Sequence, residues 1–178
     1  MSMTKVEWNA VTIRDLEPAS IREYVANNTG RLRGRVLDFG AGKPGTCWQP
    51  EPYRDLVPGE YFPFDLGDEF PAGSFDAVLM TQVIQYLPDP RETLGQLWSV
   101  LEDGGALVMT GPTNWAEVEV TDLWRFTRAG IRRLLETSGF CVLDLRQRAE
   151  VEIGGFVMSL GWGVVATKSR AKLEGGIP

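Results

Sequence analysis

Apolar residues recur along this chain at two spacings. Short apolar blocks, read as buried strands, fall at residues 35–39, 61–64, 74–80, 106–110 and 140–145, and a longer one spans 155–167. Between them the period lengthens to that of a helix. Ile21, Tyr24 and Val25 share one face of a helix predicted from Pro18 to about residue 28, with Gly30 as its stop. Asp89-Pro90-Arg91-Glu92 offers an N-cap, a proline at the first helical position and a capping-box glutamate. The stripe Leu94, Leu97, Trp98 and Leu101 follows, and Gly104-Gly105 closes that helix. Thr127 caps a further helix, with Ile131, Leu134 and Leu135 as its buried stripe and Gly139 as its stop. Pro44, Pro50, Pro52 and Pro58 leave room only for a short helix at 51–56. Residues 1–17 have no clear period; Trp8 there either fills a gap or folds over a site.

Strands alternating with helices predict an α/β fold with a doubly wound, mostly parallel sheet of about six strands. In such sheets ligands sit outside the carboxyl ends of the strands. Asp38, Asp65 and the residues after Met80 all fall on that edge. Only about ten residues separate Asp65 from Phe75, too few for a crossover helix and a further strand, so the second strand is expected at an edge of the sheet. An exposed edge invites pairing, which leaves a monomer or a homodimer through that edge.

Composition narrows the chemistry. The 178 residues are expected to form a single domain over 1–167 with a flexible tail at 168–178. A net charge of −6 and two short, interrupted basic clusters make a nucleic-acid partner a poor expectation. There is no histidine, and Cys47 and Cys141 stand far apart, so no metal site is expected and no imidazole can shuttle protons. No apolar stretch is long enough to span a bilayer and none follows the first residues as in a signal peptide; a cytoplasmic protein with no membrane partner is expected.

The chemistry-bearing stretch is residues 36–45, Val-Leu-Asp-Phe-Gly-Ala-Gly-Lys-Pro-Gly, a strand running into a glycine-rich turn. Gly40, Gly42 and Gly45 fit the G-x-G-x-x-G dinucleotide fingerprint. Asp38, Gly40 and Gly42 fit D-x-G-x-G, which resembles the first motif of class I S-adenosylmethionine-dependent methyltransferases. Asp38 separates the two: a carboxylate repels a pyrophosphate and attracts a sulfonium and an ammonium. Asp65, at the end of the second strand, is placed to accept from ribose hydroxyls.

The ordered set strengthens that resemblance: Asp38-Phe39-Gly40-Ala41-Gly42, Phe64-Asp65, Gly73-Ser74-Phe75-Asp76-Ala77-Val78-Leu79, Val83 to Pro90, Leu101-Glu102-Asp103-Gly104-Gly105, then Asp122 to Thr127 and Ser138-Gly139-Phe140. It is similar to the small-molecule subset of that family over roughly residues 20–167. The resemblance implies a Rossmann-like methyltransferase fold with its last strand antiparallel. It implies S-adenosylmethionine as cofactor, held by Asp38, Gly40, Ala41, Gly42, Asp65, Thr81 and Gln82. It implies a small-molecule acceptor, such as a sugar or secondary-metabolite hydroxyl or amine. Two departures stand out. Gln85-Tyr86 replaces a frequent Glu-His, and the family's adenine-binding acid has no obvious counterpart, with Asp68 or Glu69 as stand-ins.

Residues 111–126 leave the fourth strand at the ligand edge and mix Trp115, Trp124 and Phe126 with Glu117, Glu119, Asp122 and Arg125. Such a loop can act as a lid over an acceptor, with Gln85, Asn114, Trp115, Trp124 and Arg125 as its contacts. Alternatively Trp124 and Phe126 pack the base of the lid, and Arg125 pairs with Asp122. Candidate catalytic groups are Asp122, Arg125 and Tyr86, with Glu117 and Glu119 as further proton acceptors. The rival functions are a nicotinamide-dependent oxidoreductase and a non-catalytic domain that binds S-adenosylmethionine or a partner protein.

Overall fold

The computed structural model describes residues 10–42, 50–117 and 120–168. Six strands make one sheet in the order β2-β1-β3-β4-β6-β5. Strands β1 (Arg35–Phe39), β2 (Glu60–Phe64), β3 (Phe75–Thr81) and β4 (Leu101–Pro112) run parallel. Strand β6 (Phe156–Lys168) enters between β4 and β5 (Phe140–Ile153), antiparallel to both. The second strand lies at the edge, as the short Asp65–Phe75 gap requires.

Alternation along the central strands buries both faces. Leu37, Phe39, Val78, Met80, Leu107 and Met109 point to one side, where helices α2 (Pro90–Val100) and α3 (Arg128–Thr137) bring Leu94, Leu97, Ile131 and Leu135. Val36, Ala77, Leu79 and Val108 point to the other, where α1 (Ala10–Asn27) brings Tyr24 and Val25. The helix starts follow their caps. The Asp89 carboxylate accepts from Arg91 N and Glu92 N at 3.0 and 2.9 Å, and the Thr127 hydroxyl accepts from Gly130 N at 3.1 Å.

Four boundaries differ from the sequence expectation. Helix α1 begins at Ala10, with Pro18 inside it; the buried Ile21, Tyr24 and Val25 anchor its second half strongly enough to absorb one missing N–H. The helix expected at 51–56 shrinks to a 3-10 turn, Arg54–Leu56, because Pro50, Pro52 and Pro58 remove amide donors on either side. Helix α2 stops at Val100, since Leu101 already pairs with Phe75. Strand β5 continues eight residues past Leu145, to Ile153, because its polar residues are satisfied by the β6 ladder down to Ile153↔Phe156. Trp8, Cys47 and the tail beyond residue 168 lie outside the described residues.

Candidate active site

The carboxyl ends of β1, β2, β3 and β4 converge on one edge. Gly40 leaves β1 with φ +86°, and a Cβ there would stand 2.3 Å from Val83 Cγ2. Glycine therefore serves two needs at that position: a left-handed backbone and the close approach of the turn that follows β3. Gly42 also has a positive φ, +72°. The Gly40 and Ala41 amides both donate to the Phe64 carbonyl, at 2.8 and 3.0 Å. Those two donors tie the turn to the end of β2 and are spent there, so they do not face a ligand. Asp65 follows at the exit of β2, in a turn closed by Asp68 N donating to Asp65 O at 2.9 Å; the Asp68 carboxylate accepts from Asp65 N at 3.4 Å. Glu69 is exposed next to it.

Asp38, two residues before Gly40 on β1, is buried. The Tyr61 hydroxyl donates to its Oδ2 at 2.6 Å. Burial pushes the Asp38 carboxyl up to about 7; the Tyr61 hydrogen bond works against that, and the nearby Glu51 adds to it. Burial and the same carboxylate drive the Tyr61 hydroxyl well above the usual phenol range, so it stays a donor. Glu51 is carried in by its amide, which donates to Ala41 O at 2.8 Å. Tyr61, Glu51 and Val83 were not legible as site residues. The partnership of Asp38 with Tyr61 depends on the register Val36↔Tyr61, Asp38↔Pro63, which no local pattern encodes.

Thr81 ends β3 opposite Thr110, and Gln82 follows with φ +56°. The Gln82 amide donates to Thr110 O at 3.0 Å, and Gln85 Nε2 donates back to Gln82 O at 2.9 Å. Gln85 and Tyr86 sit on a 3-10 turn, Ile84–Tyr86. The Gln85 carbonyl accepts from Leu123 N and Trp124 N at 2.7 and 3.2 Å, and the Trp124 indole donates to Leu87 O at 2.8 Å. Residues 123–124 thus rest on the turn after β3, which brings Gln85 and Trp124 together.

Arg125 ties residues 115–116 to residues 122–124. Its guanidinium forms a paired contact with the Asp122 carboxylate, Nη2 to Oδ2 at 2.6 Å. It also donates to the carbonyls of Trp115, Ala116 and Trp124 at 3.3, 3.0 and 2.9 Å. These five bonds use every donor the side chain has, and Asp122 raises its basicity. Of the two sequence readings of Arg125, the ion pair with Asp122 is the one formed. Trp115, Glu117, Asp122, Leu123, Trp124 and Arg125 line a cleft of about 190 Å³. Trp124 stacks on Phe126 with ring centroids 6.1 Å apart, and together they wall a second cleft against α2. Asn114 is separate from this group: its Nδ2 donates to Ser159 O at 2.8 Å, on β6. Glu119 lies outside the described residues.

Comparison with known proteins agrees with the fold. The sequence matches a methyltransferase-domain family over residues 12–145. No curated protein sequence matches the chain. The fold is similar to that of the methyltransferase in complex with the Haloferax volcanii Trm112 methyltransferase activator (16% identity, 94% of this chain and 100% of that one, TM-score 0.63). It is similar to magnesium protoporphyrin IX methyltransferase from Synechocystis, solved with bound S-adenosylmethionine (16%, 94% and 87%, 0.56). It is also similar to the Burkholderia thailandensis 1,6-didemethyltoxoflavin-N1-methyltransferase, solved with its acceptor and S-adenosylhomocysteine (16%, 95% and 92%, 0.61). At such identities the likeness establishes the fold.

Proposed function

The chain belongs to the methyltransferase-domain family, and from that premise we propose that it binds S-adenosylmethionine at the glycine turn and methylates a small-molecule acceptor. The observation that carries this reading is the pairing of two acids with one turn: Asp38 is the penultimate residue of β1, Asp65 follows β2, and the Gly40 and Ala41 amides tie the turn to Phe64 O beside Asp65. A pair of carboxylates suits a ligand whose ammonium and ribose hydroxyls donate to it and whose sulfonium it attracts, and opposes a pyrophosphate. Bound there, the cofactor supplies a methyl already activated by positive sulfur. Asp38 and Asp65 would hold it, with Gly42, Thr81 and Gln82 completing the wall; Gly40 and Ala41 shape the turn, and Asp68 or Glu69 flanks the adenine side.

The protein's own task is alignment and exclusion of water. Asp122 and Arg125 act by fixing the 113–126 loop. Trp115 and Trp124 offer the acceptor aromatic area, and Asn114 borders the far side; Gln85 is buried with its Nε2 committed to Gln82 O, and it supports the loop through its carbonyl. Tyr86 and Glu117 are the groups able to receive a proton from an acceptor hydroxyl or amine. No helix among the described residues is long and apolar enough to cross a membrane.

Calorimetry with S-adenosylmethionine, with nicotinamide cofactors as the contrast, tests the assignment. Asp65→Ala should weaken S-adenosylmethionine by roughly ten-fold or more, the value of hydrogen bonds to a charged acceptor. Unchanged affinity in both Asp38→Ala and Asp65→Ala, or preference for a nicotinamide cofactor, overturns it.

A further inference from the structure

The donor reading assigns Asp38 a charge, yet the fold buries that carboxyl and so favours its neutral form. Something must hold it ionised if it is to attract a cation. Asp38 projects to the α1 side of the sheet. There β3 contributes Ala77 and Leu79, α1 contributes Tyr24 and Val25, and Tyr53 and Leu56 pack alongside. Two groups act on the carboxyl electrically: Glu51, which opposes its ionisation, and Tyr61, which favours it. The Tyr61 hydroxyl donates to Oδ2 at 2.6 Å, and among the described residues it is the hydrogen-bond partner of Asp38. The Tyr61 ring is fixed in turn. The Arg54 guanidinium lies 4.6 Å from its centroid, and Arg54 Nη1 donates to the Tyr61 carbonyl at 3.4 Å. Arg54 itself sits in the segment that Arg22 clips to α1 through Asp55.

We infer that Tyr61 is a positioning residue for the donor site: its hydroxyl holds Oδ2 of Asp38, favours the ionised carboxyl against its burial, and leaves Oδ1 for a cationic ligand. This rests on the reading that S-adenosylmethionine binds at residues 40–42. The direction of the hydrogen bond is set, because Tyr61 remains protonated throughout the working range. Arg54, stacked on the ring, stops the phenol from swinging away when Asp38 takes up a proton.

The test compares the full chain with Tyr61→Phe, Asp38→Asn and the double variant. Carbon-13 NMR of the ligand-free protein, with the Asp38 carboxyl identified by its loss in Asp38→Asn, gives its titration midpoint directly. The parent should titrate at about 7. Tyr61→Phe should move the midpoint up by roughly one pH unit, the effect of one hydrogen bond to a charged group. Calorimetry with S-adenosylmethionine should then show roughly five-fold weaker binding at pH 7 and near parity by pH 8.5, where both carboxyls are ionised. The ligand's own ammonium titrates identically in both experiments. On the Asp38→Asn background, Tyr61→Phe should change affinity less than two-fold. A midpoint that does not move, or a loss equal at every pH, makes Tyr61 a packing residue and overturns the inference. Failure of the parent to bind S-adenosylmethionine at any pH overturns the donor reading itself, and the positioning role with it.

Discussion

At the scale of single residues, the cost of the site falls on Asp38 and Gly40. The Asp38 carboxyl holds its proton to about 7 in the folded protein against 3.8 in the unfolded chain. A raised carboxyl means that the folded state binds the proton more tightly. The stabilisation is therefore complete below about pH 4 and is lost as pH rises through about 7. Asp38→Asn removes this group's titration. Its Tm relative to the parent should rise between pH 5 and pH 8, by the equivalent of roughly 2–4 kcal/mol, as followed by thermal unfolding across that range. A constant difference would mean that Asp38 is ionised without penalty. Gly40→Ala should cost about 2–4 kcal/mol in denaturant unfolding, from a non-glycine positive φ together with the clash at Val83 Cγ2. Measured against Val83→Ala alone, which removes the clash at the cost of buried methyls, Gly40→Ala should cost only about 1 kcal/mol of backbone strain. No cost on the Val83→Ala background would show that the φ requirement is negligible.

At the scale of elements, the 113–126 loop is organised by one side chain. Arg125→Lys keeps the charge but cannot reproduce a planar fork with five donors. The expected result is an S-adenosylmethionine affinity within about two-fold of the parent, faster proteolysis inside the loop, and a ten-fold or greater fall in kcat/KM once an acceptor is known. Unaltered proteolysis would mean that the loop is held elsewhere. Sequence legibility varies in the same way from element to element. The caps at Asp89 and Thr127 were readable because each is satisfied within three residues of itself. The strands β1, β3 and β4 were readable because burial on both faces leaves unbroken apolar runs. The five acceptors of Arg125 were not, since two come from residues 115 and 116, before the loop turns back. The far half of β5 was missed because Arg146, Gln147, Arg148, Glu150 and Glu152 look like a loop until their ladder with β6 is seen. The start of α1 was missed because Pro18 is locally a helix breaker, and the packing that overrides it is tertiary.

At the scale of the molecule, the short Asp65–Phe75 connection determined more than strand count: it left β2 as a terminal strand whose outer side pairs with no further strand among the described residues. Whether that side can recruit a second chain depends on which main-chain groups face outward. Glu60 N donates to Gly34 O, and Phe64 O accepts from Gly40 N, so the even-numbered residues of β2 point toward β1. Tyr61 and Pro63 therefore present the outer edge. Pro63 has no amide hydrogen, and the Tyr61 carbonyl already accepts from Arg54. Two of the four polar positions a pairing strand would need are thus absent or occupied, the pattern by which native sheets blunt an edge. The homodimer through β2 that the bare edge suggested is consequently disfavoured by its own strand. Sedimentation equilibrium should show no association of the parent through β2, as judged by unprotected amide exchange at Tyr61. Pro63→Val, which restores the missing donor and a β-favouring side chain, should raise self-association at least several-fold, and adding Arg54→Ala should raise it further by freeing the carbonyl. A parent that dimerises with the Tyr61 amide protected, or a Pro63→Val chain that associates no more than the parent, would show that the edge is silent for some other reason than its lost hydrogen bonds.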